Sequence, residues 1–415
     1  MSLAKASVWT SLSVLTKILC GLLVVKLMAI SYGPQGLGLA GNFRQLITVL
    51  GVIAGAGIFN GVTRYVAQHQ QSPQQLQQLT SAAAALVLIA SLLMATLLLL
   101  AAAPLSTLLF GSDHYQGILR LLALLQAGIG WANLLQALLK GFRDARGNAL
   151  VVALGSLLGV GGYLLCWWVG GYRGALIGLA LVPAMALLPA LWLLTRRTSL
   201  QWRWLLPQWQ PQIAGNLLKY TLMAIMTAAT LPVAWILMRR LLAAHTDWQD
   251  VGLWQGVSTL SDAWLQFITA TFSVWLLPTL SRITDKREIA MEMRKALCFY
   301  LPLVAAIALS VWLLRDIAIH LLFSSQFTAM RDLFFWQLTG DFFKVGAYIF
   351  GYLVIARASL RLYLLTELSQ FILLLTSAWW LIPLQGVEGA VEAYALSYMV
   401  YFCLCGAAFM FWYRK

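Results

Sequence analysis

Acidic residues are scarce in this 415-residue chain, and scarcest in its first half. Of 14 Asp and Glu, only Asp113 and Asp144 precede residue 209. Charge of either sign is also rare, at 10% of residues against 61% hydrophobic, with a mean hydropathy of +0.80. No soluble domain has that balance, so the class is a polytopic membrane protein. The net charge of +14 would suggest nucleic acid in a soluble protein. Here it belongs to Lys- and Arg-rich loops on one side of a membrane, and no nucleic-acid partner is expected. The five cysteines all lie in apolar runs, and Cys403-x-Cys405 is too tight for a zinc pair. They read as small buried hydrophobes, and no metal or other cofactor is expected. No cleavable signal precedes the first apolar run, which is expected to remain as the first helix.

Long hydrophobic runs dominate what is present. Twelve segments reach bilayer length, near 8–30, 38–62, 80–103, 117–139, 149–170, 174–195, 215–238, 252–277, 297–314, 333–356, 360–383 and 388–412. With the N-terminus inside, 18 of the 28 Lys and Arg fall on the cytoplasmic side. Five fall outside (Arg173, Arg239, Arg240, Arg315 and Arg331), and five within spans. That asymmetry places both termini in the cytoplasm. The loops are too short to hold a soluble catalytic domain. Two stand out on the cytoplasmic side. "QHQQSPQQLQQL" (68–79) reads as a solvated connector. "QWRWLLPQWQPQ" (201–212) reads as a segment lying at the interface, where Trp prefers to sit.

The chain also resembles itself. Shifted by 214 residues, Lys5 meets Lys219, Lys26 meets Arg240, and Gly38-Leu39 meets Gly252-Leu253. Shifted by 213, "LLFGS" (108–112) meets "LLFSS" (321–325); shifted by 215, "GYRGA" (171–175) meets "GVEGA" (386–390). The expected fold is all-α, with twelve transmembrane helices in two parallel six-helix halves around a central cavity. The halves would be an N-terminal lobe (1–200) and a C-terminal lobe (215–415), joined by an interfacial linker (201–214).

The charges inside the spans point to a substrate. Spans of the first half hold cations and no acids: Lys17, Lys26, Arg44 and Arg120. A buried cation without a partner is expensive unless an anion visits it, so an anionic substrate is expected, with phosphate or diphosphate fitting Lys and Arg well. Lys26 sits near the outer end of its helix and can snorkel to headgroups. Lys17, nine residues earlier, lies on the opposite face near mid-membrane and is expected to face the cavity. Arg44 has polar neighbours, Asn42 and Gln45. Gln126, Asn133 and Gln136 share one face of span 4, which either lines a sugar-binding surface or bonds to neighbouring helices. In the second half, Asp262, Asp341, Lys344 and Glu367 are candidates for ion coupling or gating. Asp341 and Lys344 are also i,i+3 neighbours able to pair locally. "GVIAGAGIFNG" (51–61) is either a close-packing surface or a bend in helix 2.

Twelve spans in two halves, "YGPQGLGLAGNFRQL" at helix 2 and "LLFGSDHY" before helix 4 together resemble the Wzx-type lipid-linked oligosaccharide flippases. These belong to the multidrug/oligosaccharidyl-lipid/polysaccharide exporter superfamily. The likeness spans essentially the whole chain. It implies a multi-pass protein of a bacterial inner membrane that turns an undecaprenyl-diphosphate-linked acidic oligosaccharide toward the periplasm. It also implies membrane lipids as surroundings, a polysaccharide polymerase and a chain-length regulator as neighbours, and a monomeric flippase. The resemblance further implies a cationic central cavity, with helices 2 and 8 framing a lateral gate. Lys17, Arg44 and Asp262 fit that pattern. Rival readings are a cationic-drug/proton antiporter, which would want acids in the first-half cavity, a lipid-acting enzyme, which would want a large outer loop, and a scaffold.

Overall fold

The structure, a computed structural model, describes residues 3–197, 202–283, 285–357 and 359–414. Gln201, where the expected linker begins, lies outside the described residues, as do Met1, Ser2 and Lys415 and the side chains of Lys5 and Trp202. Among the described residues every regular element is helical. Nine stretches among the described residues are long and apolar enough to cross a membrane. Large apolar side chains such as Trp168 and Leu100 stand fully outward, as lipid-facing residues do. The chain is thus an all-helical polytopic membrane protein.

It folds as two compact units: Met1–Val25 with Asn42–Pro232, and Lys26–Gly41 with Val233–Lys415. The first unit thus leaves out the stretch 26–41 and runs on through residue 232.

The first unit contains most of α1 (Leu3–Ile53), then α2 (Phe59–Gln68), α3 (Pro73–Leu100), α4 (Ala102–Phe110) and α5 (Gln116–Gly141). It continues with α6 (Ala145–Ala184), α7 (Leu187–Arg197), α8 (Pro211–Leu218) and α9 (Thr221–Ala229). Its core is built where α2, α3, α5 and α7 meet, from Val62, Val66, Ala83, Val87, Leu134, Leu138 and Leu193. The segment 202–212 lies along α3: the Ser81 hydroxyl donates to the Trp204 carbonyl at 2.9 Å, and Gln208 N–H donates to the Ser81 carbonyl at 3.2 Å.

Between α1 and α2 the backbone breaks, with Ala56 at φ 52° and Gly57 at φ 66°. Such a break frees carbonyls that lipid cannot satisfy. Side chains from three other helices satisfy them. Asn133 Nδ2 donates to Gly51 O at 3.0 Å, Ser91 Oγ to Ala54 O at 3.0 Å, and Thr221 Oγ1 to Ala56 O at 2.6 Å. The glycine-rich stretch is thus an actual bend, pinned on its polar side.

The second unit contains the remaining part of α1, then α10 (Leu231–His245), α11 (Trp248–Thr271) and α12 (Leu277–Arg282). It ends with α13 (Lys286–Leu313), α14 (Arg315–Leu322), α15 (Phe334–Ala356), α16 (Leu360–Gln385) and α17 (Val387–Arg414). A π-helical turn, Phe272–Leu276, joins α11 to α12. The core gathers Leu265, Phe272, Met293, Tyr300, Val345 and Ile349. The eighth expected span falls on α11, which is not among the nine apolar stretches; it carries Gln255, Asp262 and Gln266.

Helix α1 is two helices. Gly33 takes φ 63°, a left-handed angle that favours glycine, and Pro34 opens the second piece. The run Val8–Ile53 of 46 residues would extend about 69 Å, over twice the ~30 Å hydrocarbon core. Ala145–Arg196 is likewise broken, at Gly171 (φ 55°, ψ −134°). Gly386, between α16 and α17, has φ 61° and ψ −128°. Gly171 and Gly386 are the equivalent glycines of "GYRGA" and "GVEGA", and they share one unusual backbone geometry.

A second pair of equivalents touches. A Cβ placed on Gly38 would meet Gly252 N and the Trp248 carbonyl, each at 2.8 Å, and one on Gly252 would collide with the Pro34 carbonyl. Pro34 and Trp248 are also 214 residues apart, so the contact is reciprocal. Only glycine allows two helices to approach this closely.

Candidate functional site

In the first unit, Lys17 is exposed on α1, and Arg44 and Gln45 are half-buried one break further along. Lys140, at the last turn of α5, stands close enough to Lys17 for the two ammonium groups to repel. Tyr163 on α6 is within electrostatic reach of Arg44. The Arg146 guanidinium lies over the Trp9 ring, 5.3 Å from its centroid. Among the described residues no carboxylate comes within ion-pair distance of Lys17, Arg44 or Lys140. The unit thus carries a close pair of cations, Lys17 and Lys140, and a separate half-buried cation, Arg44.

The polar amides of this unit have other work. Asn42, fully buried, donates to the Leu109 carbonyl at 2.9 Å. Gln126, also fully buried, donates to the Ser91 carbonyl at 2.7 Å, and Asn133 holds the bend at Gly51. All three bond to backbone on neighbouring elements. Of the two uses open to the face of span 4, interhelical bonding is the one these geometries display. Gln136 on the same face is half-buried.

The second unit brings most of its candidate residues together. Asp341 on α15 is fully buried, and its Oδ1 accepts a hydrogen bond from the Tyr394 hydroxyl of α17 at 2.7 Å. Ser261 of α11 stands beside the same carboxylate. Lys344 makes no ion pair with Asp341 in these surroundings. Its ammonium instead sits between rings, 5.5 Å from the centroid of Tyr394 and 5.4 Å from that of Tyr398, a cation–π arrangement. The two i,i+3 neighbours stay within electrostatic reach of one another, with the aromatic rings added around the ammonium. Asp262 is exposed yet within electrostatic reach of Lys344 and Arg239. Glu367 on α16 is half-buried and lies toward Tyr401 of α17. Lys26 is half-buried near the end of the first piece of α1.

Sequence reasoning misplaced one residue outright. Arg239 was expected in an outer loop, but α10 runs on to His245 and Arg239 is only 4% exposed. Its Nε and Nη2 both donate to Gln255 Oε1, at 3.0 and 2.7 Å, and it lies 5.4 Å from the Trp254 ring centroid. These partners, a full helix away, make an arginine tolerable where hydropathy alone would end the span. The tyrosines of α17 were also missed. Their signal was there as Tyr394, Tyr398 and Tyr401, a helical stripe of hydroxyls in an apolar run. Among the described residues no cluster of His, Cys, Asp and Glu could hold a metal ion.

The fold is one shared by a known class of polytopic membrane exporters. It matches an inward-facing multidrug resistance MATE family transporter of the MOP superfamily with a TM-score of 0.79, covering 96% of this chain and 94% of that one at 12% identity. It matches the lipid II flippase MurJ, in an inward closed conformation, with a TM-score of 0.72, covering 98% and 87% at 13% identity. At such identities the likeness is one of fold. In sequence, residues 3–284 match the family of polysaccharide biosynthesis proteins, and the chain belongs to that family. The Lipid III flippase of Escherichia coli (strain K12) is 61% identical over 415 residues, the whole of both chains.

Proposed function

We propose that this protein is a flippase for an undecaprenyl-diphosphate-linked oligosaccharide, the lipid III of enterobacterial common antigen, which carries a trisaccharide repeat unit. It moves this lipid from the cytoplasmic to the periplasmic leaflet of the inner membrane. The observation that carries the reading is the 61% identity, over the whole of both chains, to a protein named Lipid III flippase. The protein is a transporter and not an enzyme.

The site chemistry supports it. Lys17, Arg44 and Lys140 present cationic groups without carboxylate partners, as a diphosphate requires. On the two-half reading, twelve crossings form two parallel lobes with both termini cytoplasmic, and 201–214 is an interfacial linker. The cavity takes the headgroup while the prenyl tail stays in lipid, since burying it in protein would gain little over the bilayer. Alternating access then delivers the headgroup outward. Asp262, Asp341, Lys344 and Glu367 provide the gating or coupling charges, with a proton or cation gradient resetting the cycle. The protein works as a monomer, with the polymerase and chain-length regulator of the polysaccharide as its neighbours.

The MATE-like fold favours one second reading, a cationic-drug antiporter. The first unit argues against it, because its only acids through residue 208 are Asp113, which opens a short 3-10 turn after α4, and Asp144, which caps α6. The test is leaflet exchange of a polyprenyl-diphosphate oligosaccharide in proteoliposomes. Wild type exchanges the lipid, while Arg44→Ala and Lys17→Ala lose at least about tenfold in rate, the factor for ~1.4 kcal/mol, with unchanged melting temperature. No exchange by wild type, together with efflux of a cationic dye, would establish the antiporter.

A further inference from the structure

The glutamine-rich connector, a solvated loop by its sequence, forms one wall of a cavity of about 220 Å³ in the first unit, between α2, α3 and α8. Tyr65 and His69 line one side. Their rings stack, with planes 16° apart and centroids 6.4 Å apart, and Tyr220 braces Tyr65 edge-on. Gln75 and Gln78, one turn apart at the start of α3, line the second side, and Asn216 of α8 the third. Leu79 and Ile213 supply its apolar patch.

The polar groups are available. Among the described residues the amides of Gln75 and Gln78 make no hydrogen bond. Asn216 gives only its Oδ1, to Lys219 Nζ at 2.9 Å, which leaves its two N–H donors open. No carboxylate lines the cavity. The volume is below the ~300–1,000 Å³ of sites for drug-sized ligands, so it suits one ring rather than a whole headgroup. An aromatic face set against neutral amides, each able to donate and accept, is the complement of a pyranose: C–H groups on its face, hydroxyls at its edge.

We propose that this cavity is a sugar subsite that holds one pyranose ring of the lipid-linked oligosaccharide as it loads. The inference rests on the flippase reading, which puts the connector between α2 and α3 in the cytoplasm, where loading begins. The diphosphate is then held by cations elsewhere in the unit, and the glycan is read here.

The test uses the full chain in lipid nanodiscs and three probes: methyl glucoside, methyl N-acetylglucosaminide and methyl glucuronide. Contact is read by saturation-transfer NMR. At least one probe receives saturation from wild type. Its apparent Kd rises about tenfold in Gln75→Leu/Gln78→Leu, the factor expected for two lost hydrogen bonds, and rises also in Tyr65→Leu. Gln75 and Gln78 are exposed helix positions, so the double variant keeps its fold, which thermal unfolding checks. The subsite is overturned if no probe receives more saturation than from empty nanodiscs, or if the double variant binds as wild type does. Leaflet exchange measured on the same preparation separates the two ideas. Exchange without sugar contact sinks the subsite alone, whereas sugar contact without exchange sinks the flippase reading and with it the loading role of the subsite.

Discussion

Arg239 owes its place to Gln255, whose single Oε1 accepts both of its N–H groups. Hydrogen bonds to charged groups contribute about 1.5–3 kcal/mol, so Gln255→Leu should lower the melting temperature in detergent sharply. A double-mutant cycle of Arg239→Gln with Gln255→Leu should show coupling above about 1 kcal/mol; additive losses would mean the pair is incidental. Asn133 makes a different case. Its amide satisfies Gly51 O at the bend, and Asn133→Leu leaves that carbonyl bare at a cost of about 1–3 kcal/mol. Thermal unfolding should register the loss, while the lipid concentration for half-maximal exchange stays put. A change in that concentration alone would return Asn133 to the substrate. Residue type announced the cations of the first unit, because Lys and Arg without acids are visible in any sequence. It could not announce which amides face backbone, since Asn133 and Gln136 lie on one helical face and differ only in what stands opposite.

At the level of elements, the breaks matter more than the helices. Gly171 and Gly386 share a backbone geometry open mainly to glycine, and a side chain there costs about 1–3 kcal/mol. Gly171→Ala and Gly386→Ala should therefore destabilise by similar amounts, measured as chemical or thermal unfolding. Gly252→Ala should do worse, because the Pro34 carbonyl, part of a rigid backbone, occupies the space. These glycines were legible from the repeat. The third repeat station was not a guide to backbone: Gly111 takes φ 72°, whereas its counterpart Ser324 is extended at φ −100°, as a residue with a Cβ prefers. The end of α10 was misjudged for a related reason. Hydropathy registers the cost of an arginine but not the partners, Gln255 and Trp254, that arrive from the next helix.

For the whole molecule, the proposed cargo carries about two negative charges out of a cell whose interior is negative. Each charge crossing the full field gains about 2.3 kcal/mol per 100 mV. A potassium diffusion potential, inside negative, should therefore raise the initial rate of outward exchange in proteoliposomes. A rate indifferent to voltage would mean that the headgroup crosses with its charge compensated. The contact at Gly38 and Gly252 carries a consequence of another kind. Were it the seam of a homodimer, both sides would be bound to the same residue, and a glutamine opposite a glutamine would have nowhere to go. One helical turn along, Gly41 and Gln255 are counterparts 214 residues apart, and the Gln255 side chain fills the space that Gly41 leaves empty. In one chain the two sides of the contact are separate positions, and each can change alone. With only hydrogen atoms on Gly41, the Gln255 amide has room there to accept from Arg239.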